Sequence, residues 1–172
     1  MKRYWVPSPE IQAWIRVTYV YDSLQGTISR DGKQLRPQFT GNYHQIRLCD
    51  KKQDLRKLVT VHRLAWFLHH GVFPTMPIDH VNFDTCDNRI ENLRLCSNAQ
   101  NSAHRRKTKY QTSSRYKGVS WQSGLNMWRA HVVIDGVKRN LGSFHCEHAA
   151  AKAYNAAASK AFGEFAILNE EN

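Results

Sequence analysis

The sequence predicts an α+β chain in two parts. A small antiparallel sheet and a strand–loop–strand–helix module come first, then a three-stranded antiparallel sheet backed by one helix. Three observations predict this. Short β-type runs broken by glycine turns fill residues 16–60. Over residues 77–107 an apolar pair frames two polar residues and is followed by an Asn/Asp-rich loop, a short strand and a helix. From residue 116 three strand-like segments lead into an alanine-rich run. The implied division is 1–107 (compact module 77–107), a basic linker at 108–115, and a second domain over 116–172.

In the first part RVTYVYD runs to a turn at Gly26, and TISRDGKQLRP contains the hairpin signal Asp31-Gly32. NYHQIRLC and LRKLVTVHR read as two further strands separated by the polar DKKQD, giving a sheet with a charged face. Leu64, Ala65, Phe67 and Leu68 then recur at helical spacing from Val61 to His70. Gly71 ends that helix, and Pro74 and Pro77 prevent its resumption.

Ile78 and Val81 frame Asp79 and His80, and a polar loop leads to a short strand at Leu93–Leu95. Ser97 is the expected N-cap of a helix running from Asn98 into Arg105, Arg106 and Lys107. YKGVSWQ, MWRAHVVID and KRNLGSFH are the later strands, the last two joined at Asp135-Gly136. In the closing helix from Glu147, the residues Ala150, Ala153, Tyr154, Ala157 and Ala161 are expected to form a narrow stripe against the sheet.

Lys and Arg total 25 against 14 Asp and Glu, a formal charge of +11. Clustered cations at this density point to a polyanionic partner, because binding releases counterions from a phosphate backbone. No apolar run reaches the roughly 20 residues that span a bilayer, so no membrane association is expected. The start, MKRYWVPSPEIQAW, is charged and broken by Pro7 and Pro9, which is unlike a signal peptide. Cys49, Cys86, Cys96 and Cys146 form no CxxC pair. They read as reduced, mostly packing thiols of a cytoplasmic protein, and zinc is not expected.

The ordered motifs HRLAW at 62–66, IDH at 78–80, NRIENL at 88–93 and SNAQN at 97–101 resemble the HNH endonucleases, above all the phage and intron-encoded homing type. That resemblance implies a ββα-metal module and hydrolysis of DNA phosphodiester bonds. It makes His80 the general base, Asp79 and Asn101 the metal ligands, and Asn92 the residue that holds the loop by hydrogen bonds. Asn98 competes with Asn101 for its place. Many relatives carry His where Asn101 stands; a neutral amide oxygen favours Mg²⁺ or Mn²⁺ over softer ions. Adjacent strand residues point in opposite directions, so Asp79 and His80 need a twisted or terminating strand to serve one site. Arg89 either clamps a phosphate or pairs with Asp87 or Glu91, and His62 reads as a hydrogen-bonded packing residue.

YKGV at 116–119, WRA at 128–130, LGSF at 141–144 and the run AAAKAYNAAASKAFGEFAILN resemble the APETALA2-type domain of plant ethylene-response factors, which also occurs fused to phage HNH nucleases. The resemblance implies three strands in the major groove and a helix behind them. Alternation puts Trp128, Ala130, Val132 and Ile134 toward the helix, and Arg129, His131 and Val133 toward DNA. Lys117, Ser120, Lys138, Arg139 and Asn140 are matched to the family's contacting positions, while Trp121 and Trp128 read as core. Arg105 and Arg106 are expected on phosphates, which position without reading sequence.

These readings predict a DNA endonuclease of the phage type, at work in the cytoplasm of a bacterial host. Its partner would be double-stranded DNA, with Mg²⁺ or Mn²⁺ and no small-molecule cofactor, as a monomer or weak dimer. The alternative is a DNA-binding regulatory protein that keeps the nuclease scaffold without cutting. An RNA-binding module is disfavoured by the lack of an aromatic platform.

Overall fold

The computed structural model describes residues 4–107 and 112–170. The chain forms two compact units that divide between Cys96 and Ser97. Among the described residues no helix is long and apolar enough to cross a membrane.

The first unit opens with helix α1 (Pro9–Thr18), where the sequence had suggested a strand beginning at Arg16. Ser8 caps it by accepting a hydrogen bond from the Ile11 amide, Pro9 presets the first turn, and Glu10 stands at the positive end. These signals outweigh the β-branched residues Ile15, Val17 and Thr18. Strands β1 (Tyr19–Asp22), β2 (Thr27–Arg30) and β3 (Lys33–Gln34) form one antiparallel sheet. Strands β4 (Gln38–Thr40), β5 (Tyr43–Asp50) and β6 (Leu55–Thr60) form another, so the single expected sheet is two. Asp31 and Gly32 both take positive φ, as the hairpin signal requires.

Helix α2 (Val61–His70) follows β6 directly and ends at Gly71 in the left-handed region. Its Leu64 and Phe67 pack with Ile15, Tyr19, Ile28, Leu48 and Phe73 into the core of this unit. Arg63 is buried too, donating to the carbonyls of Pro74 at 2.5 Å and Met76 at 3.4 Å. It thereby fixes the irregular segment that leads into β7 (Ile78–His80). Strand β7 pairs antiparallel with β8 (Leu93–Leu95), and Ile78 and Leu93 seal the pair against Ala65 of α2.

The second unit begins with α3 (Asn98–Ala103). It starts in a capping box: the Ser97 hydroxyl accepts from the Gln100 amide, and the Gln100 side chain accepts from the Ser97 amide. The expected run to Lys107 stops four residues early. The Lys117 ammonium donates to the carbonyls of Ala103 and Arg105 and so closes the helix end. Helix α3 packs on the closing helix and its last turn, which is why it joins the second unit. Of the expected linker 108–115, residues 108–111 lie outside the described residues. Beyond them Ser114 is buried, and its carbonyl accepts from Lys107 Nζ at 2.5 Å.

Strands β9 (Val119–Gln122), β10 (Met127–Ile134) and β11 (Val137–Phe144) form a sheet with β10 central, covered on one face by α4 (Glu147–Phe162). The buried stripe of α4 is Ala150, Ala151, Tyr154, Ala158 and Phe162. Ala161, expected on it, is exposed, because the stripe advances by four residues at a time and ends on Phe162. The thiols also differ from expectation. Only Cys96 is buried, while Cys49, Cys86 and Cys146 stand at turns and solvent-facing strand positions.

Candidate active site and nucleic-acid face

Strand β7 is three residues long and buried on both faces. It ends at His80 because the chain turns there: Phe83 takes φ 68°, and its amide donates to the His80 carbonyl at 3.0 Å. A non-glycine residue in that region is strained and persists only where its surroundings hold it. The loop back to β8 is held chiefly by Asn92. Its side-chain oxygen accepts from the Asn82 amide at 2.9 Å, its side-chain NH₂ donates to the Asp87 carbonyl at 2.8 Å, and its own carbonyl accepts from the Val81 amide at 2.9 Å. One buried amide side chain thus ties both ends of the loop.

Within the loop Asp87 receives Arg89 in a fork, Nε to one oxygen at 2.9 Å and Nη2 to the other at 2.8 Å. This pairing holds the carboxyl down at about 2. Glu91 takes the remaining Arg89 nitrogen at 2.8 Å, so Arg89 pairs with both neighbouring carboxylates. The β1–β2 hairpin buttresses the loop from outside. Tyr21 donates its hydroxyl to the Asn88 carbonyl at 2.7 Å, and Gly26 lies against the Asn88–Arg89 backbone. The sequence marks Gly26 as a turn, but nothing local ties it or Tyr21 to this loop.

His80 is 4% exposed, and its Nε2 is buried without a hydrogen-bond partner. Burial pushes the imidazole below its ordinary value, against the opposing influence of Asn88 and the nearby Asp79, Asp84 and Asp87. The ring is therefore neutral near pH 7, the state in which it can accept a proton. Around it stand Tyr43 of β5, stacked at 6.1 Å between centroids, and His62 of α2, edge-on at 5.3 Å. His62 is itself buried and shares a hydrogen bond with the Thr60 hydroxyl at 3.2 Å. Desolvation drives it down to about 3, with His80 and Arg63 adding to the effect.

Asp79 sits opposite Arg94 in the β7–β8 register, whereas His80 sits opposite Leu93. Directly paired residues share a face of the ladder, and Arg94 Nε meets the Asp79 carboxylate at 3.0 Å. Sequence reasoning missed Arg94; the signal was its place in the middle of the Leu93–Leu95 strand. Among the described residues no three His, Cys, Asp or Glu side chains gather as a ligand cluster. A single buried carboxylate does not make a closed zinc site, and as a lone oxygen donor it is of the type that hard cations take. Asn101 lies half-buried on α3 in the second unit, with its backbone amide on the Ser97 carbonyl, and Asn98 is exposed one turn earlier.

In the second unit the register sorts the expected DNA-facing residues into rows. Arg129 pairs with Ser120 on one side and Ser143 on the other, His131 with Asn140, and Val133 with Lys138. All of these share the face away from α4, since Ala130 and Val132 are buried against the helix side. Arg139 departs from the set: it pairs with Val132, so its side chain belongs to the opposite face at the exposed hairpin end. Lys117 departs further, because its ammonium is spent on the α3 carbonyls and burial lowers its pKa. Arg105 and Arg106 are exposed. Trp121 and Trp128 pack edge to face at 5.0 Å, and Trp128 joins the sheet–helix core.

The HNH endonuclease family model matches residues 59–103, from the end of β6 to the end of α3. An uncharacterized HNH endonuclease of Acanthamoeba polyphaga mimivirus is 35% identical over 119 residues, covering 68% of this chain and 60% of its own length. Protein 3.8 of Escherichia phage T7 is 32% identical over 83 residues, covering 48% of this chain and 68% of its own. The chain thus spans about 60% of the mimivirus protein. Among solved structures, that of the HNH homing endonuclease I-HmuI, titled for DNA binding and cleavage, aligns with TM-score 0.41 and 22% identity over 72% of this chain and 71% of its own. With the matched segment holding β7, the Asn92-tied loop, β8 and α3, the chain belongs to the HNH endonuclease family.

Proposed function

We propose that this chain is a metal-dependent DNA endonuclease in which His80 accepts the proton of the attacking water. The observation that carries the reading is His80 itself: a buried, neutral imidazole with an uncommitted ring nitrogen, one residue from a buried carboxylate. A buried polar atom without a partner is costly and calls for a reason; service as a base is one. Water attacks phosphorus as its proton passes to His80, and one P–O ester bond breaks. Asn92 keeps the loop, and with it the end of β7, in register during that transfer. Asp79, with Asn101 by the family pattern, would hold Mg²⁺ or Mn²⁺, which when bound offsets charge on the phosphate.

The second unit is read as an APETALA2-type module that lays its β9–β11 face in the major groove, where a short sheet fits. Arg129, His131, Lys138 and Asn140 would reach bases and phosphates, and Arg105 and Arg106 the phosphate backbone. The enzyme would be of the homing or site-preferring phage type, acting on double-stranded DNA in a bacterial cytoplasm as a monomer or weak dimer.

A second reading has one observation in its favour. Arg94 already neutralises Asp79, as it would in a scaffold that binds DNA without cutting. Supercoiled plasmid with Mg²⁺, with and without chelator, separates the two. Relaxed or linear product that vanishes with chelator is expected; intact plasmid bound but uncut by the protein would establish the scaffold instead.

A further inference from the structure

Resting on the reading of His80 as the base, we propose that Tyr43 and His62 are positioning residues that fix the plane of the His80 ring from two sides. Nε2 has no hydrogen-bond partner, so besides the Asn88 side chain it is ring packing that resists rotation of the imidazole about its last side-chain bond. Tyr43 lies nearly parallel to it, 25° between planes, while His62 meets it at 89°. Tyr43 and His62 also touch each other at 4.9 Å, so the three rings form a closed triangle.

Each support is anchored independently. Tyr43 opens β5, whose pairing with β6 sets Gln45 opposite Thr60. His62 stands in the first turn of α2, and Thr60, the residue before that helix, holds its ring by hydrogen bond. The two supports therefore come from a strand and a helix linked through β6, which pairs with β5 and runs directly into α2. The depressed pKa of His62 is consistent with this role, since a neutral neighbour does not oppose a proton arriving on His80.

The test uses the full chain, with wild type and His80→Ala bracketing the cutting assay. Tyr43→Leu is expected to lower kcat about 100-fold, the usual cost of a misplaced reacting group, with the KM for DNA and the melting temperature unchanged. Tyr43→Phe, which keeps the stacked ring, should cut like wild type. In parallel the His80 ring protons, which stacking on Tyr43 should shift upfield in the wild-type NMR spectrum, should lose that shift in Tyr43→Leu and keep it in Tyr43→Phe. Wild-type kcat in Tyr43→Leu, equal losses of kcat and kcat/KM in both Tyr43 variants, or an unchanged His80 shift would each overturn the proposal. Should Tyr43→Leu not fold, His62→Gln, which retains a partner for Thr60, is expected to show the same loss of kcat. If wild type itself does not cut, the nuclease reading fails, and the NMR shift alone decides whether the ring clamp exists.

Discussion

The β7–loop–β8 region and the outer face of the β9–β11 sheet are both polar, yet they handle polarity in opposite ways. In the first, charges are spent internally: Arg94 on Asp79, Arg89 on Asp87 and Glu91, Asn92 on two backbone groups. The His80 Nε2 is buried there without a hydrogen-bond partner. In the second, Lys138 and Asn140 stand exposed in rows beside Val133 and His131. The contrast teaches how to tell a place built for chemistry from one built for contact. Burial and pairing fix a reacting group, whereas a surface that must meet a polyanion keeps its cations in water, where counterion release supplies the affinity.

The largest expected effect lies at the buried end of this comparison. His80→Ala should cut at least about 10²-fold more slowly, the lower bound for losing a general base, while its DNA affinity in a gel-shift titration stays near wild type. Weakened binding of the same size would mean that the ring is part of the contact surface. Next comes Gly26→Ala. A Cβ there would lie 2.5 Å from the Arg89 amide nitrogen and 2.7 Å from the Asn88 carbonyl carbon, on a residue with φ 69°. The hairpin must move off the loop, so calorimetry should show destabilisation of about 1–3 kcal/mol and plasmid assays reduced cutting; unchanged stability would remove the hairpin from its buttressing role.

A third effect separates the regions by pH. His62 titrates near 3 when folded and near 6.5 when unfolded, so the unfolded chain binds the proton more readily. The stability this group contributes is complete above pH 6.5 and is lost as pH falls toward 3. His62→Gln should flatten that part of the melting profile, and a slope unchanged by the substitution would assign the acid sensitivity elsewhere. The smallest effect belongs to the exposed face. Lys138→Ala should lower the slope of log affinity against log salt by about 1 and leave kcat alone; an unaltered slope would take Lys138 off the phosphate backbone.

How much of this was legible in the sequence depended on whether the deciding interaction was local. Helix α2 was plain from the spacing of Leu64, Ala65 and Phe67 and from Gly71, and the Ser97 cap and Asp135-Gly136 turn needed only their immediate neighbours. Helix α1 was obscured because Ile15, Val17 and Thr18 have strand character, and Ser8-Pro9, which decides the matter, lies at the far end of the segment. Asp79, His80 and Asn92 could be named from the motif, but the company they keep could not. Arg94 reaches Asp79 only through the β7–β8 register, and Tyr43 reaches His80 only because one sheet folds back on α2. Lys117 was misplaced for the same reason, since a lysine in a basic stretch gives no hint that helix carbonyls wait within its reach.

Gly118 carries a consequence for redesign. A Cβ at this position would fall 2.0 Å from the Tyr154 ring and 2.6 Å from the His131 carbonyl, so the glycine of the YKGV signature is clearance for a helix, remote in purpose from base recognition. In the proposed reading, frame and reading head are thus written in different residues. On the proposed DNA-binding reading, exchanging Ser120, Arg129, Lys138 and Asn140 as a set, with Gly118, Ala130 and Tyr154 left alone, is the economical route to a retargeted module.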